Sequence, residues 1–393
     1  MKKSVEEAKA KAWKSFKVIK KEAVCDMIKK MASANYKGIG VYTKMKIRRV
    51  LEELNVQNIN LDSIRILCYN GIIEDCRGLR SAVWKLILSY LPLEPEKWKQ
   101  HMDAKLEEYE YFKKKYIPTL IPEDMSAERE ILWDDIEKDI KRTRSDVSFF
   151  TEPIEIKPGM NLTALYEISR LRKSELTAEQ LKSYVYTHAD VLGRILFIYG
   201  CLHPDILYVQ GMNELLAVIY YVFAKDLVAG YEKYLESDAF FVFEKLMEEL
   251  KDMFNEKMDK QVNGLKAKLK MFEELIERNR KDLLDVMNEK GVDINVFTLR
   301  WQMLLLTQEF TIPDVIRLWD SLLADMMRFN FFQYVCLALV VNVEQDILES
   351  DADAISKAIK ESPSRIEMKD LIQLAKDLLA KEVERENEKA IQS

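Results

Sequence analysis

Two short stretches of this sequence carry side chains whose types and spacing suit chemistry on a negatively charged substrate. In the first, Ile136, Asp139 and Arg142 follow one another at intervals of three residues. This spacing places them on one broad side of a helix, with Ile136 as the apolar anchor and the two charged side chains directed outward. Asp139 could then hold the Arg142 guanidinium in one direction. The alternative is an ordinary ion pair on a helix surface, which contributes little to stability.

The second stretch is the polar loop Tyr208-Val209-Gln210-Gly211-Met212-Asn213. It lies between the apolar segments 194–202 and 215–224, both of which are predicted to be buried helices. A loop fixed between packed elements is held rigidly, and such loops commonly carry function. Gln210 supplies an uncharged donor and acceptor, and Gly211 lets the atoms of another molecule approach the backbone closely.

The composition predicts an all-α protein built from long helices. The chain of 393 residues is 48% hydrophobic and 32% charged, and it contains only 11 Gly and 9 Pro. The alternation of apolar and polar residues that marks half-buried strands is hard to find. The longest apolar run, 215–224, is too short to span a membrane.

Several kinds of site are not expected. The histidines and cysteines show none of the spacings of a metal site, so no metal is predicted. No glycine-rich loop is followed by Lys and Ser or Thr, so the chain is not expected to hold a nucleotide by itself. The wide spacing of the five cysteines predicts buried thiols in a reducing compartment. Beyond residue 50 the chain is acidic, which disfavours nucleic acid as a partner.

The N-terminal 50 residues are strongly basic. From Val5 to Met27 apolar residues recur every three or four positions among lysines, which predicts a basic amphipathic helix. One interpretation is a helix that packs on the main body with its lysines in water. The other is contact with an anionic membrane, because Trp13 and Phe16 lie on or beside the apolar side. The two interpretations differ in their sensitivity to salt.

Three further stretches combine tryptophans with charged residues. They contain Arg80 and Trp84, Arg300 and Trp301, and Arg317-Leu318-Trp319-Asp320. Arg80 and Trp84 lie one helical turn apart and can share a face. Trp301 and Trp319 are expected to be core anchors, while Arg317 and Asp320 are expected to pair at the protein's edge.

Taken in order, the motifs R-x-x-x-W, I-x-x-D-x-x-R, Y-x-Q-G-M-N and R-L-W-D resemble those of TBC domains, the GTPase-activating proteins for Rab GTPases. The small members, which are little more than the domain, are the most similar. The resemblance implies an all-α, two-lobed helical fold. Residues 1–59 would be a basic N-terminal helical extension, 60–350 the TBC domain and 351–393 a charged C-terminal helical tail.

The resemblance also implies roles for individual residues. Arg142 would be an arginine finger that enters the active site of a GTP-bound Rab and stabilises negative charge at the transition state. Gln210 would be a glutamine finger that positions the attacking water in place of the GTPase's own Gln. Asp139 and Gly211 would support the two fingers, and Tyr208 and Asn213 would brace the glutamine loop. The remaining motif residues would be structural: Arg80, Trp84, Trp301, Arg317, Trp319 and Asp320.

GTP and magnesium would belong to the Rab, and the chain itself would need no cofactor. Such a protein is expected in the cytoplasm, peripherally on endomembranes, with a role in vesicle trafficking. Two turns depart from the family pattern: Gly71-Ile72-Ile73 replaces Gly-Ile-Pro, and Arg142-Thr143-Arg144-Ser145 replaces Arg-Thr-x-Pro. Because these departures could loosen both turns, the alternative is a non-catalytic helical scaffold or interaction protein built on the same domain.

Overall fold

The computed structural model describes residues 19, 21–117, 126–154, 186–254 and 264–392, and α-helices account for most of them. The first helices are α1 (Asp26–Ala32), α2 (Val41–Leu54), α3 (Leu61–Cys68), α4 (Leu79–Ile87), α5 (Trp98–Tyr116), α6 (Ala127–Ile140), α7 (His188–Leu202), α8 (Met212–Lys225) and α9 (Leu235–Leu250). The others are α10 (Leu265–Glu289), α11 (Asn295–Leu304), α12 (Ile312–Ala324), α13 (Asn330–Val341), α14 (Glu344–Glu349), α15 (Ala352–Glu361) and α16 (Met368–Gln392). Within the described ranges the β-type pairing is limited to one isolated bridge, between Pro153 and Thr187.

We call the described residues up to 254 the first half of the molecule and those from 264 onward the second half. Helices α7 and α8 form the centre of the first half. Both are apolar on nearly every side and buried along almost their whole length, as their sequences predict. A capping box at Thr187 and Asp190 fixes the start of α7. Helices α6 and α9 pack around this pair. The C-terminal end of α6 and the start of α8 are therefore held against one rigid core.

Helix α12 connects the two halves, because it packs on α3, α4 and α8. Its buried Asp320 accepts hydrogen bonds from Trp84 Nε1 (2.9 Å) and from Arg80 Nε (3.2 Å) on α4. The predicted pairing of Arg317 with Asp320 is therefore wrong, and Arg317 instead donates to Ser321 Oγ at 2.9 Å. The physical reason is burial: a carboxylate removed from water binds the donors that α4 brings to it.

The turn before α4 lacks the proline of the family pattern but is fixed in another way. The Ile72 amide donates to Asp320 Oδ2 at 2.8 Å, and the Ile72 carbonyl accepts from Arg80 Nη2 at 2.7 Å. Gly71 has a φ of +98°, which favours glycine. Although Ile73 stands where the family pattern has a proline, hydrogen bonds from the Ile72 amide and to the Ile72 carbonyl fix this turn.

The first and last described helices, α1 and α16, pack on these halves. Most of the amphipathic helix predicted for residues 5–27 lies outside the described residues, and 21–25 is not helical, so α1 begins only at Asp26. At the other end, α16 packs along α13 and α12. The domain boundaries at 60 and 350 stay predictions. No helix in the described parts of the chain is long and apolar enough to cross a membrane.

Candidate functional site

The arginine motif lies at the end of α6. Helix α6 stops at Ile140, and Arg142 lies in the turn that follows, with 62% of its side chain exposed. Asp139, in the last turn of the helix, is buried. The prediction that both charged side chains face outward is thus wrong for Asp139, because the residue faces the loop that precedes α8. Because Asp139 is buried, its carboxylate is held in a fixed position, so its pairing with Arg142 differs from an ordinary ion pair on a helix surface.

Asp139 is shared between the two motifs. One carboxylate oxygen, Oδ1, accepts from Arg142 Nε at 3.1 Å and also from Arg142 Nη2. The other oxygen, Oδ2, accepts from the Tyr208 hydroxyl. Burial, reinforced by the neighbouring carboxylate, raises the pKa of the Tyr208 phenol, so the hydroxyl keeps the proton that it donates. A single carboxylate therefore orients the guanidinium and holds the start of the Gln210 loop.

Asn213, the second residue of α8, makes a further connection. Its Nδ2 donates to Thr143 Oγ1 at 2.9 Å, and its Oδ1 accepts from the Gly211 amide at 3.1 Å. Thr143 in turn donates to the Asp139 carbonyl at 2.8 Å. The turn that carries Arg142 and the turn that carries Gln210 are thus joined by side-chain bonds at two places.

Gly211 is required for reasons inside the molecule. It has a φ of +106°, and a Cβ at this position would come within 2.5 Å of Leu304 Cδ2. The positive φ strains any residue other than glycine, and a Cβ would in addition require the Leu304 side chain to move. The sequence predicts that Gly211 admits the atoms of another molecule, whereas the structure shows Leu304 of α11 in that space. Gly211 lets the Gln210 loop pack directly on the second half of the protein.

Arg142 and Gln210 line the same cleft, and both side chains are exposed. The cleft has a volume of about 370 Å³ and an open mouth. Asp139, Gly211, Asn213 and Glu214 line it from the first half of the protein, and Leu299, Arg300, Met303, Leu304 and Gln308 line it from the second. The site is therefore built at the junction of the two halves, which is a common location for binding sites.

Arg144 fixes the turn after α6 to the second half. Its buried side chain donates to the carbonyls of Thr307 and Phe310, and to Asp146 Oδ2 at 2.8 Å. Arg144 itself has a φ of +44°, a conformation that is uncommon for a residue other than glycine. Because a residue before proline avoids the helical regions, this backbone would not suit a proline at position 145. The turn is anchored by a side chain where many members of the family have a proline.

The structural motif residues lie away from the cleft. Trp84 and Trp319 pack against each other with ring centroids 5.9 Å apart, and Trp301 is buried on α11. Trp319 Nε1 donates to the Leu305 carbonyl at 3.2 Å, so it supports the turn on which Arg144 is anchored. Among the residues that the structure describes, no group of three or more His, Cys, Asp or Glu is arranged to hold a metal ion.

Several cleft and anchor residues are not predicted from the sequence. Glu214 follows the glutamine motif directly, and burial raises the pKa of its carboxyl group. Arg300 makes two bonds to Glu309, at 2.7 and 3.0 Å, on the far wall of the cleft. Arg144 bonds to partners more than 160 residues away. Adjacency to the motif residues Asn213 and Trp301 is the signal that could have identified Glu214 and Arg300. No local spacing indicates the distant partners of Arg144.

Comparison with known proteins identifies the family to which the chain is similar. A family model described as "Rab-GTPase-TBC domain" matches residues 176–348. The human protein "TBC1 domain family member 13" is 30% identical over 394 aligned residues, which cover 85% of this chain and 98% of that protein. A Schizosaccharomyces pombe protein, "GTPase-activating protein gyp1", is 22% identical over 81% of this chain and 57% of its own length.

The fold is also found among solved structures. The crystal structure of the Ypt/Rab-GAP domain of Gyp1p superposes with a TM-score of 0.64 at 22% identity, covering 85% of this chain and 98% of that domain. A Chlamydomonas flagellar RabGAP TBC domain superposes with a TM-score of 0.53 at 16% identity. At these identities the two structures establish the fold, which is the all-α TBC fold predicted from the sequence.

Proposed function

Because the chain belongs to the family of TBC-domain Rab GTPase-activating proteins, we propose that it accelerates GTP hydrolysis by a GTP-bound Rab. In this proposal Arg142 and Gln210 enter the active site of the Rab together. GTP and magnesium are bound by the Rab, and the chain contributes side chains only. The substrate of the reaction is thus the nucleotide on the partner protein.

One observation carries the proposal: Arg142 and Gln210 are exposed in a single cleft, on two turns that share Asp139 as a hydrogen-bond acceptor. A shared buried acceptor fixes the two turns relative to each other, which would have no purpose if the two residues acted separately. Holding both turns in one network reduces the conformations that must be lost when the complex forms, and so favours transition-state stabilisation.

The two side chains suit the two needs of phosphoryl transfer to water. Negative charge develops on the transferring phosphoryl, and a guanidinium stabilises it because the group is planar and always charged. Asp139 engages Nε and Nη2 of Arg142, which leaves Nη1 for a phosphate oxygen. The carbonyl oxygen of Gln210 can accept a hydrogen bond from the attacking water, and its amide group can donate one. Arginine fingers typically contribute a rate factor of about 10³ to 10⁵.

The test is GTP hydrolysis measured across a panel of purified Rabs with the parent chain and with Arg142→Ala, Arg142→Lys and Gln210→Ala. We expect Arg142→Ala to lose about 10³-fold or more in kcat/KM on the preferred Rab. Arg142→Lys should remain strongly impaired, since the ammonium cannot reproduce the planar fork. Arg365→Ala, a surface arginine on another part of the protein, is the control and should match the parent. Parent-like hydrolysis with both Arg142→Ala and Gln210→Ala would contradict the mechanism.

The scaffold alternative rests on two altered turns, at Ile73 and Ser145. Each of these turns is anchored by buried charged residues, Asp320 for the first and Arg144 for the second. No observation in the described part of the chain therefore favours a loosened site. Capture of a Rab that ignored its nucleotide state and both finger substitutions would support the scaffold, and robust turnover would exclude it.

We place this activity in the cytoplasm, at the surface of endomembranes, in vesicle trafficking. The family assignment supports this location. The wide spacing of the five cysteines supports a reducing compartment. Cys25 and Cys201 are only half-buried, so the predicted burial of the thiols is wrong for these two. Cell fractionation with markers for cytosol and endomembranes would test the location, and recovery from an oxidising compartment would contradict it.

A further inference from the structure

An unusual surface lies at the start of α2, remote in sequence from the cleft. Val41, Tyr42 and Met45 are large apolar residues whose exposed fractions are 52%, 72% and 59%. They lie within the first two turns of the helix and on one side of it, opposite the buried face formed by Ile47, Leu51 and other residues. An apolar cluster of this kind on the surface usually marks a site of interaction.

The same side of the helix carries positive charge. Lys37 precedes the helix, and Lys46 and Arg49 follow the apolar residues on the exposed face. Across residues 27–51 the sequence contains seven Lys and Arg and no Asp or Glu, whereas the whole chain has a net charge of -6. We name the set Lys37, Val41, Tyr42, Met45, Lys46 and Arg49 the α2 tip. It is a basic and apolar surface on an acidic protein.

The loop before α2 is open as well. Gly38 and Gly40 are exposed, and a Cβ at either position would meet no described atom within 4 Å. At the other end of α2, acidic residues reappear, and Glu52 pairs with Arg48 at 3.1 Å. Among the described residues, the exposed basic and apolar surface is thus confined to the first half of the helix and the loop that leads into it.

We propose that the α2 tip docks on an anionic phospholipid membrane. Val41, Tyr42 and Met45 enter the boundary between headgroups and acyl chains, and the cations contact the lipid headgroups. Tyr42 suits this position because its ring is apolar and its hydroxyl is polar, and Lys46 lies over the ring at 4.8 Å from the centroid. The apolar side chains complement the lipid acyl chains, and the cations complement the negative charge of the headgroups.

Charge also distinguishes the α2 tip, as a membrane-binding surface, from a second exposed apolar site on the protein. Met326 and Met327 are exposed by 54% and 75%. However, the cavity beside Met327 is lined by three acidic residues, Glu248, Glu249 and Asp252, and by only two cations, Lys268 and Arg328, so its net charge does not attract an anionic surface. On a protein with net negative charge, the α2 tip would both attach the molecule and set its orientation on the membrane.

This proposal is independent of GTP hydrolysis and is tested with the full chain and lipid vesicles. Flotation is measured with vesicles of phosphatidylcholine alone and with vesicles in which about a third of the lipid is phosphatidylserine. We expect binding to the anionic vesicles only, falling steeply as salt is raised, because charges at a surface are screened.

Two triple variants and two matched controls locate the binding surface. Replacing Val41, Tyr42 and Met45 by Ser should reduce partition into anionic vesicles about tenfold or more. Replacing Lys37, Lys46 and Arg49 by Gln should reduce it roughly fivefold for each cation removed. The controls replace equally exposed residues elsewhere and should bind like the parent: Ile131, Val296 and Met327 to Ser, and Lys369, Lys381 and Lys389 to Gln.

Three outcomes would overturn the proposal. The first is a parent chain that does not bind anionic vesicles, as expected if the α2 tip serves an acidic protein. The second is equal loss of binding in the triple variants and in their controls. The third is binding that disappears when residues 1–20 are deleted but persists in both triple variants. Circular dichroism should show unchanged folding throughout, since every substituted residue is exposed.

Discussion

The anchor at Arg144 gives a direct test of whether the arginine finger depends on a pre-formed turn. Arg144 is two residues beyond Arg142, and its guanidinium bonds to the carbonyls of Thr307 and Phe310 in the second half of the protein. Replacing it by Ala removes these bonds and leaves the buried carbonyl of Thr307 and the half-buried carbonyl of Phe310 without this donor. At about 1.5 to 3 kcal/mol for each of these two hydrogen bonds to a charged group, the loss is about 3 to 6 kcal/mol.

Most of that loss is expected to appear as detachment of the turn. The turn remains joined to the first half through Thr143 and Asp139, so the surrounding helices can stay folded. Arg142 would then reach its productive position in a smaller fraction of complexes. Misplacement of a catalytic group by about 1 Å can cost 10²-fold, so we expect Arg144→Ala to lower kcat by about 10- to 100-fold. Arg144→Lys should lie between Ala and the parent, since one ammonium cannot bind both carbonyls as a fork.

The assay is single-turnover GTP hydrolysis on the preferred Rab, combined with urea unfolding of each variant. The control is Arg194→Ala, because Arg194 is also buried and bonded, to Glu236, but does not line the cleft. We expect this control to lose comparable stability and to keep parent-like hydrolysis under conditions where it is folded.

A double-mutant cycle provides the decisive comparison. In a chain that already carries Arg142→Ala, adding Arg144→Ala should change the rate by less than about twofold, because the group that the anchor positions is gone. If Arg144→Ala lowers the rate equally with and without Arg142, the anchor acts on general stability and the reasoning is refuted. Equal loss of hydrolysis in Arg194→Ala would lead to the same conclusion.

Three further predictions concern positions that the structure explains. Gly211→Ala should destabilise the fold by about 2 kcal/mol and impair hydrolysis, as measured by urea unfolding and GTP hydrolysis. Adding Leu304→Ala removes the clash with the new Cβ, so it should restore part of the stability and part of the activity. Asp320→Asn should cost about 3 kcal/mol of unfolding free energy, because it leaves the Arg80 charge without its buried partner, and a parent-like urea midpoint would contradict this. Burial lowers the pKa of His188 from 6.5 in the unfolded chain to about 4 in the folded protein. The folded protein therefore binds a proton less readily than the unfolded chain, and the stability that neutral His188 contributes is present above pH 6.5 and lost as pH falls from 6.5 to 4. With allowance for partial exposure the loss is about 1 to 3 kcal/mol, and urea unfolding of His188→Gln should show a correspondingly smaller decrease over that range.

The sequence predicts those features of the site that are local in the chain. Asp139 and Arg142 lie within one helical turn of each other, so their contact follows from spacing alone. The rigid loop at Gln210 follows similarly from the apolar segments on either side of it, which the structure shows as α7 and α8. The all-α fold follows from composition and periodicity, and the family motifs add its identity.

The features that the sequence does not predict depend on which charged residues are buried. The spacing of Arg317 and Asp320 favours a surface pair, but Asp320 is buried and its partners lie 236 to 248 residues away. Arg144 likewise has the sequence context of an exposed loop residue. In both positions tertiary packing decides the partner, because a buried charge must be satisfied by whatever groups the fold brings near.

The chemistry of Asp139 explains why the two finger motifs occur together. Its carboxylate has two oxygens, and the structure uses one for Arg142 and the other for Tyr208 at the start of the Gln210 loop. Displacement of either turn therefore leaves a buried, charged oxygen with fewer donors, at a cost in free energy that opposes the displacement. The cation and the amide are thus held relative to each other as well as to the core. For a reaction in which charge stabilisation and water positioning must coincide, the relative placement of the two groups matters more than the placement of either one.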